Sequence, residues 1–289
     1  MKVQAEAGRL AARLPPLLVA AERVAATIAG GAHGRRRSGP GETFWQYRRA
    51  QPGDPAAAVD WRQSARSQAL FIRETEWSAA QTVWLSCDGS ASMRWRSSDR
   101  LPEKGERAQV VSLALALLLI RGGERVAPLA GGMAPCQSPG AVGLLAQRIE
   151  QTDDFATTAA TLPRGAEIVL VSDFLEPPEI LAERLHRLAG HGICGHLLQV
   201  LDPAEETLPY QGRIRFHDPE GDGSVLIRRA EDVAVAYGAA LGAHRQSLAD
   251  AAARLGWSFA THHTDQPPQA ALLALIQRIG QLHGRPGPC

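Results

Sequence analysis

Three short apolar runs, Thr82–Cys87 (TVWLSC), Glu167–Ser172 (EIVLVS) and Ile193–Leu201 (ICGHLLQVL), constrain the fold more than any other feature of the chain. Runs of this length, apolar at successive positions, suit strands that are buried on both faces. Parallel neighbours in such a sheet need long crossovers, usually helical. The intervening segments supply them. Glu106–Arg121 has helical length and is stopped by Gly122-Gly123. Ala141–Glu150 reads as a helix, and Pro177–Ala189 opens on two prolines and ends at Gly190. Asp232–Leu255 and Pro268–Leu282 are further helices, while Arg125–Leu129 and Trp257–Thr261 are further strands. The expectation is a doubly wound α/β domain over 81–285 with a mainly parallel sheet. The turn DPEGDG, between Arg213–His217 and Ser224–Arg228, predicts a β-hairpin inserted before the long helix.

The chain before residue 81 is different in kind. Residues 31–80 are rich in Gly, Pro, Arg and Trp, and their later part, LFIRETEW, has strand character. Residues 35–73 carry eight Arg against Glu42, Asp54 and Asp60, so this segment is +5 and the remainder −4 in a chain of net charge +1. That near-neutral total argues against a whole-protein nucleic-acid binder; Arg35–Arg37 lie in a Gly-rich stretch suited to solvent, and RNA or DNA contact by Arg35–Arg49 is a third, less favoured reading. Asp54, Asp60, Glu74 and Glu76 are close enough in sequence to pair with Arg62, Arg66 or Arg73. The segment therefore reads as a β-rich cover with paired charges and stacked aromatics, or alternatively as a docking surface for an acidic partner. Residues 1–30 form a third region, in which Leu10–Ile28 suits an amphipathic helix. The longest apolar run, Ala108–Ile120, is 13 residues, whereas a membrane span needs about 20. Four scattered cysteines without C-x-x-C pairs suit reduced thiols in a cytoplasmic protein.

Asp88-Gly89-Ser90-Ala91-Ser92 follows the first buried run directly. In open parallel sheets, ligands bind outside the carboxyl ends of the strands. A D-x-S-x-S run there places one carboxylate and two hydroxyls on one tight loop. Hard oxygen donors of low net charge suit Mg²⁺, with Mn²⁺ as a substitute. EIVLVS ends in Asp173, which repeats the strand-then-Asp arrangement and would face the same crevice. The plainer readings are a Gly/Ser turn with Asp88 as a cap, and Asp173 as a cap for the helix near Pro177. Other signals fail. Asp218, Glu220, Asp222 and Gly223 imitate an EF-hand opening, but position twelve is Arg229 where a bidentate Glu is needed. His186, His191 and His196 do not share a helical face, and no H-E-x-x-H, G-x-S-x-G or P-loop motif occurs.

The D-x-S-x-S loop resembles the metal-ion-dependent adhesion site of von Willebrand factor A-like domains. That resemblance implies metal ligation by Asp88, Ser90 and Ser92, an Asp from a third loop matched by Asp173, and a Thr from a second loop. Thr152 is the best match for the Thr, and Thr157 and Thr158 lie in the same segment. The upstream segment narrows the likeness. Gly41-Glu42-x-Phe44, Arg48-Arg49, Pro52-Gly53-Asp54, Val59-Asp60-Trp61, Ser64-Ala65-Arg66, and Arg73 with Glu74 and Glu76 resemble the region that precedes the A-like domain in the domain-of-unknown-function-58 family. The likeness covers about 35–282 and implies a partner, a MoxR-type AAA+ ATPase acting on a client protein. The resulting expectation is a non-enzymatic adaptor whose Mg²⁺ takes a partner's carboxylate. The alternative is a Mg²⁺-dependent hydrolase using Asp88 and Asp173.

Overall fold

The computed structural model describes residues 19–28, 44–51, 54–67, 69–75, 81–130, 132–149, 162–221 and 223–282. The chain divides into two compact units, residues 32–81 and residues 1–31 together with 82–289. The N-terminal helix α1 (19–28) thus groups with the α/β body, into whose core it buries Ala21, Ala25 and Ile28.

The smaller unit is built on an antiparallel pair, β1 (Phe44–Arg49) and β2 (Phe71–Thr75). Between them lies the one-turn helix α2 (Trp61–Ser64), whose N-cap Asp60 accepts from the Arg62 and Gln63 amides. Ser64 ties this turn to the strand: its hydroxyl donates to the Asp60 carbonyl at 2.8 Å and accepts from the Phe71 amide at 2.8 Å.

The larger unit follows the predicted alternation. Its elements are β3 (Thr82–Cys87), α3 (Lys104–Arg121), β4 (Arg125–Pro128), α4 (Val142–Arg148), β5 (Glu167–Ser172), α5 (Pro178–Gly190) and β6 (Cys194–Leu201). After these come α6 (Pro203–Thr207), the hairpin β7 (Ile214–His217) and β8 (Ser224–Ile227), α7 (Ala230–Arg254), β9 (Ser258–His263) and α8 (Gln269–Leu282). The sheet order is β4-β3-β5-β6-β9 and every pairing is parallel. The chain leaves β3 in one direction to form β4, then returns to its other side for β5, which puts the topological switch point between β3 and β5.

Alternation along the strands feeds two cores. Val83, Leu85, Cys87, Val169, Val171, Leu198 and Val200 pack under α1, α3, α4 and α8. Ile168, Leu170 and Leu197 point the other way, against Leu181, Leu185 and Leu188 of α5 and Leu248 and Ala252 of α7. Each such aliphatic side chain contributes about 1.5–3 kcal/mol when fully buried. Gly195 belongs to this second core because a Cβ there would overlap the indole ring of Trp257, whose Nε1 donates to the Ile193 carbonyl at 3.1 Å. At the amino-terminal edge, buried His196 bonds Glu167 at 2.8 Å and Ser258 at 2.7 Å, linking β5, β6 and β9. Cys87 and Cys136 are outside any disulfide, as expected, but Cys194 is in one, contrary to the reading of four reduced thiols. No helix among the described residues is long and apolar enough to cross a membrane.

Candidate functional site

The carboxyl ends of β3 and β5 lie side by side because Cys87 pairs with Val171. The next residue, Asp88, donates its amide to the Val171 carbonyl at 2.9 Å. Its carboxylate is then fixed from two sides. Oδ1 accepts from the Ser90 amide at 2.8 Å, and Oδ2 accepts from the Ser172 hydroxyl at 2.6 Å. Ser172 Oγ also accepts from the Phe174 amide at 3.0 Å. Phe174 is a buried non-glycine residue at φ 49°, a left-handed conformation that costs about 1–3 kcal/mol. His244 Nε2 holds it by donating to its carbonyl at 2.7 Å.

Ser90 and Ser92 point their hydroxyls at one another, with 3.1 Å between the oxygens. Adjacent corners of a Mg²⁺ octahedron with ligands at 2.0–2.1 Å are ~3.0 Å apart. The pair therefore fits two neighbouring positions of such a cation, next to a carboxylate and only partly buried. The loop is seated from below by Met93, which is buried where α3 begins; a Cβ on Gly105 would come within 3.2 Å of the Met93 carbonyl oxygen. From above, Glu220 of the β7–β8 turn accepts the Ser92 amide at 2.7 Å.

Asp173 follows its strand as the sequence predicts, but its carboxylate is engaged elsewhere. Oδ2 accepts from Lys104 Nζ at 2.8 Å, and the same ammonium bonds Glu205 Oε1 at 2.6 Å. Lys104, the first residue of α3, is 1% exposed. Burial pulls its pKa down, but Asp173 and Glu205 outweigh that and the net displacement is upward. Burial raises the Glu205 pKa, and Lys104 opposes the rise without cancelling it. Glu205 also accepts the Asp202 amide at 2.9 Å, and Asp202 accepts those of Ala204 at 2.8 Å and Ser97 at 2.9 Å. An ion-paired cluster thus joins the start of α3, the end of β5 and α6 beside the D-x-S-x-S loop.

Asp88, Ser90 and Ser92 are brought together, then, while Asp173 sits on the neighbouring loop facing Lys104. Thr152, Thr157 and Thr158 lie outside the described residues. Among those residues no group of three or more His, Cys, Asp or Glu is disposed to hold a metal. A cation here would depend on serine hydroxyls beside Asp88, a donor set that suits a hard ion.

In the smaller unit, Asp54 makes a two-pronged pair with Arg48 at 2.8 and 3.0 Å, rather than with Arg62 or Arg66. The bond from Arg48 and the Gln51 amide hold the Asp54 pKa down at about 2. Asp60 caps α2 and also accepts from the Tyr47 hydroxyl at 3.3 Å. Trp61, Ala65 and Arg66 are exposed. Pro52, Gly53, Glu76 and Arg35–Arg37 lie outside the described residues, as do the side chains of Arg73 and Glu74.

Sequence reasoning missed Ser172, Lys104, Glu205 and Glu220 as members of the site. One signal was available for Lys104, since it and Lys2 are the only lysines among 31 basic residues. The other three carried none, because their roles depend on contacts between distant segments.

A parallel five-stranded sheet flanked by helices, with its polar loops gathered at the switch point, defines a doubly wound, Rossmann-like α/β protein. The chain belongs to the family described as "Protein of unknown function DUF58", whose model matches residues 46–247. It is similar to the uncharacterized protein Rv1480 of Mycobacterium tuberculosis and the uncharacterized protein Mb1516 of Mycobacterium bovis. Each is 26% identical, over 96% of this chain and 92% of the relative. Among solved structures it is similar to the conserved hypothetical protein BatB of Bacteroides thetaiotaomicron, at 16% identity and TM-score 0.44 over 71% of this chain and 100% of that one. An aerotolerance-related membrane protein of Bacteroides fragilis, with multiple mutations to serines, is also similar, at 16% identity and TM-score 0.46 over 70% of this chain and 100% of that one.

Proposed function

We propose that this chain is a non-enzymatic, metal-dependent protein-interaction module of von Willebrand factor A-like type. In this reading Asp88, Ser90 and Ser92 hold Mg²⁺, for which Mn²⁺ substitutes. Asp173 adds negative charge from the adjoining loop, shared with Lys104, and Thr152 is the threonine that the family resemblance implies. A bound cation of this kind offers an electrophilic point to a partner's carboxylate. The protein then acts in the cytoplasm as adaptor or cofactor of a MoxR-type AAA+ ATPase working on a client protein. That partner comes from the family resemblance.

The observation that carries the metal reading is the Ser90–Ser92 spacing of 3.1 Å beside a carboxylate fixed at the switch point. The hydrolase alternative, built on two aspartates, is less favoured because the ammonium of Lys104 already holds the Asp173 carboxylate. The test is affinity capture of the ATPase with wild type and Asp88→Ala, with and without EDTA. Capture by wild type that is lost in both other conditions supports the adaptor reading. Equal capture in every arm overturns the metal bridge. Mg²⁺-dependent phosphatase or nuclease turnover by the purified chain, abolished in Asp88→Ala, would establish the alternative instead.

A further inference from the structure

The bond between Glu220 and the Ser92 amide joins residues 128 positions apart, and nothing in the adaptor reading requires it. Ser92 opens the short 3-10 turn Ser92–Arg94. Amides at the start of a helical turn have no partner within it, so they are available to an outside acceptor. The Ser92 amide is thus a built-in donor for an acid, and it belongs to one of the two residues whose hydroxyls form the candidate cation site.

The tip of the β7–β8 hairpin is shaped to deliver that acid. Asp218 Oδ1 accepts the Glu220 amide at 2.9 Å, and the Asp218 amide donates to the Gly223 carbonyl at 2.8 Å, closing the turn. A Cβ on Gly221 would come within 3.2 Å of Asp218 Oδ2. Glu220 itself is exposed, as are Val225 and Leu226 on the following strand. A carboxylate has two oxygens, so one can take an amide while the other meets a cation beside it. A contact between an exposed tip and the body competes with solvent, so it is readily exchanged for an equivalent one.

We propose that Glu220 is an intramolecular ligand of the cation site. With Mg²⁺ or Mn²⁺ present, its carboxylate spans the Ser92 amide and the cation and fills the position that a partner's acid would take. The hairpin must then withdraw before an exposed Asp or Glu of a partner can bind. This rests on the reading of Asp88, Ser90 and Ser92 as cation ligands. It identifies the partner's contact group as one carboxylate able to satisfy the Ser92 amide and the cation together.

The test is titration of the full chain with Mn²⁺ alone, followed by water-proton relaxation, in wild type, Asp88→Ala, Glu220→Ala and Glu220→Gln. Glu220→Gln keeps an acceptor for the Ser92 amide and removes the charge. Wild type should bind saturably and Asp88→Ala should not. Both Glu220 variants should bind roughly tenfold more weakly. Relaxation per bound ion should rise in Glu220→Ala, because water enters the vacated position. Mn²⁺ should also slow hydrogen exchange over residues 214–227 in wild type and leave it unchanged in Glu220→Ala. Binding that depends on Asp88 but is as tight in both Glu220 variants as in wild type, with unchanged relaxation, overturns the proposal and leaves the cation site standing. Absence of saturable binding in wild type overturns the cation site and the proposal together.

Discussion

Replacing Lys104 with Met removes an ammonium from between two carboxylates while keeping most of the volume of the side chain. Lys104 is 1% exposed, and the Asp173 and Glu205 side chains are 5% and 15% exposed. Neither carboxylate can recover full hydration in place. Breaking a buried ion pair from one side costs about 3–5 kcal/mol, against a typical total stability of 5–15 kcal/mol. For a unit of this size that lowers the melting temperature by on the order of 10 °C. The loss should depend on pH. Without Lys104, only the Asp202 amide opposes the burial that already raises the Glu205 pKa. The folded variant then holds protons that the unfolded chain has released, so its deficit is full at neutral pH. It shrinks as pH falls through the raised folded Glu205 value and is least below the ordinary carboxylate range. Substituting all three partners, Lys104→Met with Asp173→Asn and Glu205→Gln, should recover most of the loss, since replacing a whole buried group is often close to neutral. The assay is denaturant unfolding of the three proteins between pH 4 and 8. A Lys104→Met deficit below about 1 kcal/mol, or one unchanged across that range, refutes the view that this cluster clamps α3, β5 and α6 together.

Other consequences are equally open to measurement. Asp88→Ala strands the Ser90 amide and the Ser172 hydroxyl and should cost about 1–3 kcal/mol in chemical unfolding while also removing Mn²⁺ binding. Gly195→Ala drives a methyl into the Trp257 ring and should destabilise by about 1–3 kcal/mol, with a change in tryptophan emission before unfolding begins. Burial, with Arg107 and His263 nearby, lowers the His262 pKa from 6.5 to about 4. The unfolded state therefore binds the extra proton between those values, and stability should fall by up to about 3 kcal/mol as pH drops from 6.5 towards 4. His262→Gln should flatten that part of the unfolding profile. Asp60→Ala removes the α2 cap and should cost about 1 kcal/mol in the smaller unit, seen as faster hydrogen exchange at Arg62 and Gln63.

The strands and long helices were readable because burial on two faces leaves an unbroken apolar run, as in TVWLSC and EIVLVS. Their ends moved by a few residues: α3 begins at Lys104 rather than Glu106, and β9 runs on to His263. The one-turn helix α6 was missed because Pro203–Thr207 is too short for a periodic signal, although Asp202, Pro203 and Glu205 carry cap chemistry. The D-x-S-x-S loop was readable since its three donors are local in sequence. Asp173 was placed at the right strand end but without its partner, because the pairing with Lys104 spans 69 residues and arises from the β3–β5 register. The Asp54 pairing failed for a related reason: Arg48 and Asp54 meet through the turn that ends β1, and proximity in sequence alone did not distinguish Arg48 from Arg62 or Arg66. Glu220 was noticed only as part of a false EF-hand. The hairpin was right, and its use as an arm over the Ser92 amide became visible only in three dimensions.

The most direct test of the metal reading is a crystal structure grown with Mn²⁺ and phased to show its anomalous signal. The account predicts one strong peak in contact with both Ser90 Oγ and Ser92 Oγ, at roughly 2.0–2.3 Å, beside the Asp88 carboxylate and with the hydrogen bond between the two hydroxyls broken. A Mn²⁺-saturated crystal with no peak at the loop, and with Ser90 and Ser92 still bonded to each other, would contradict it.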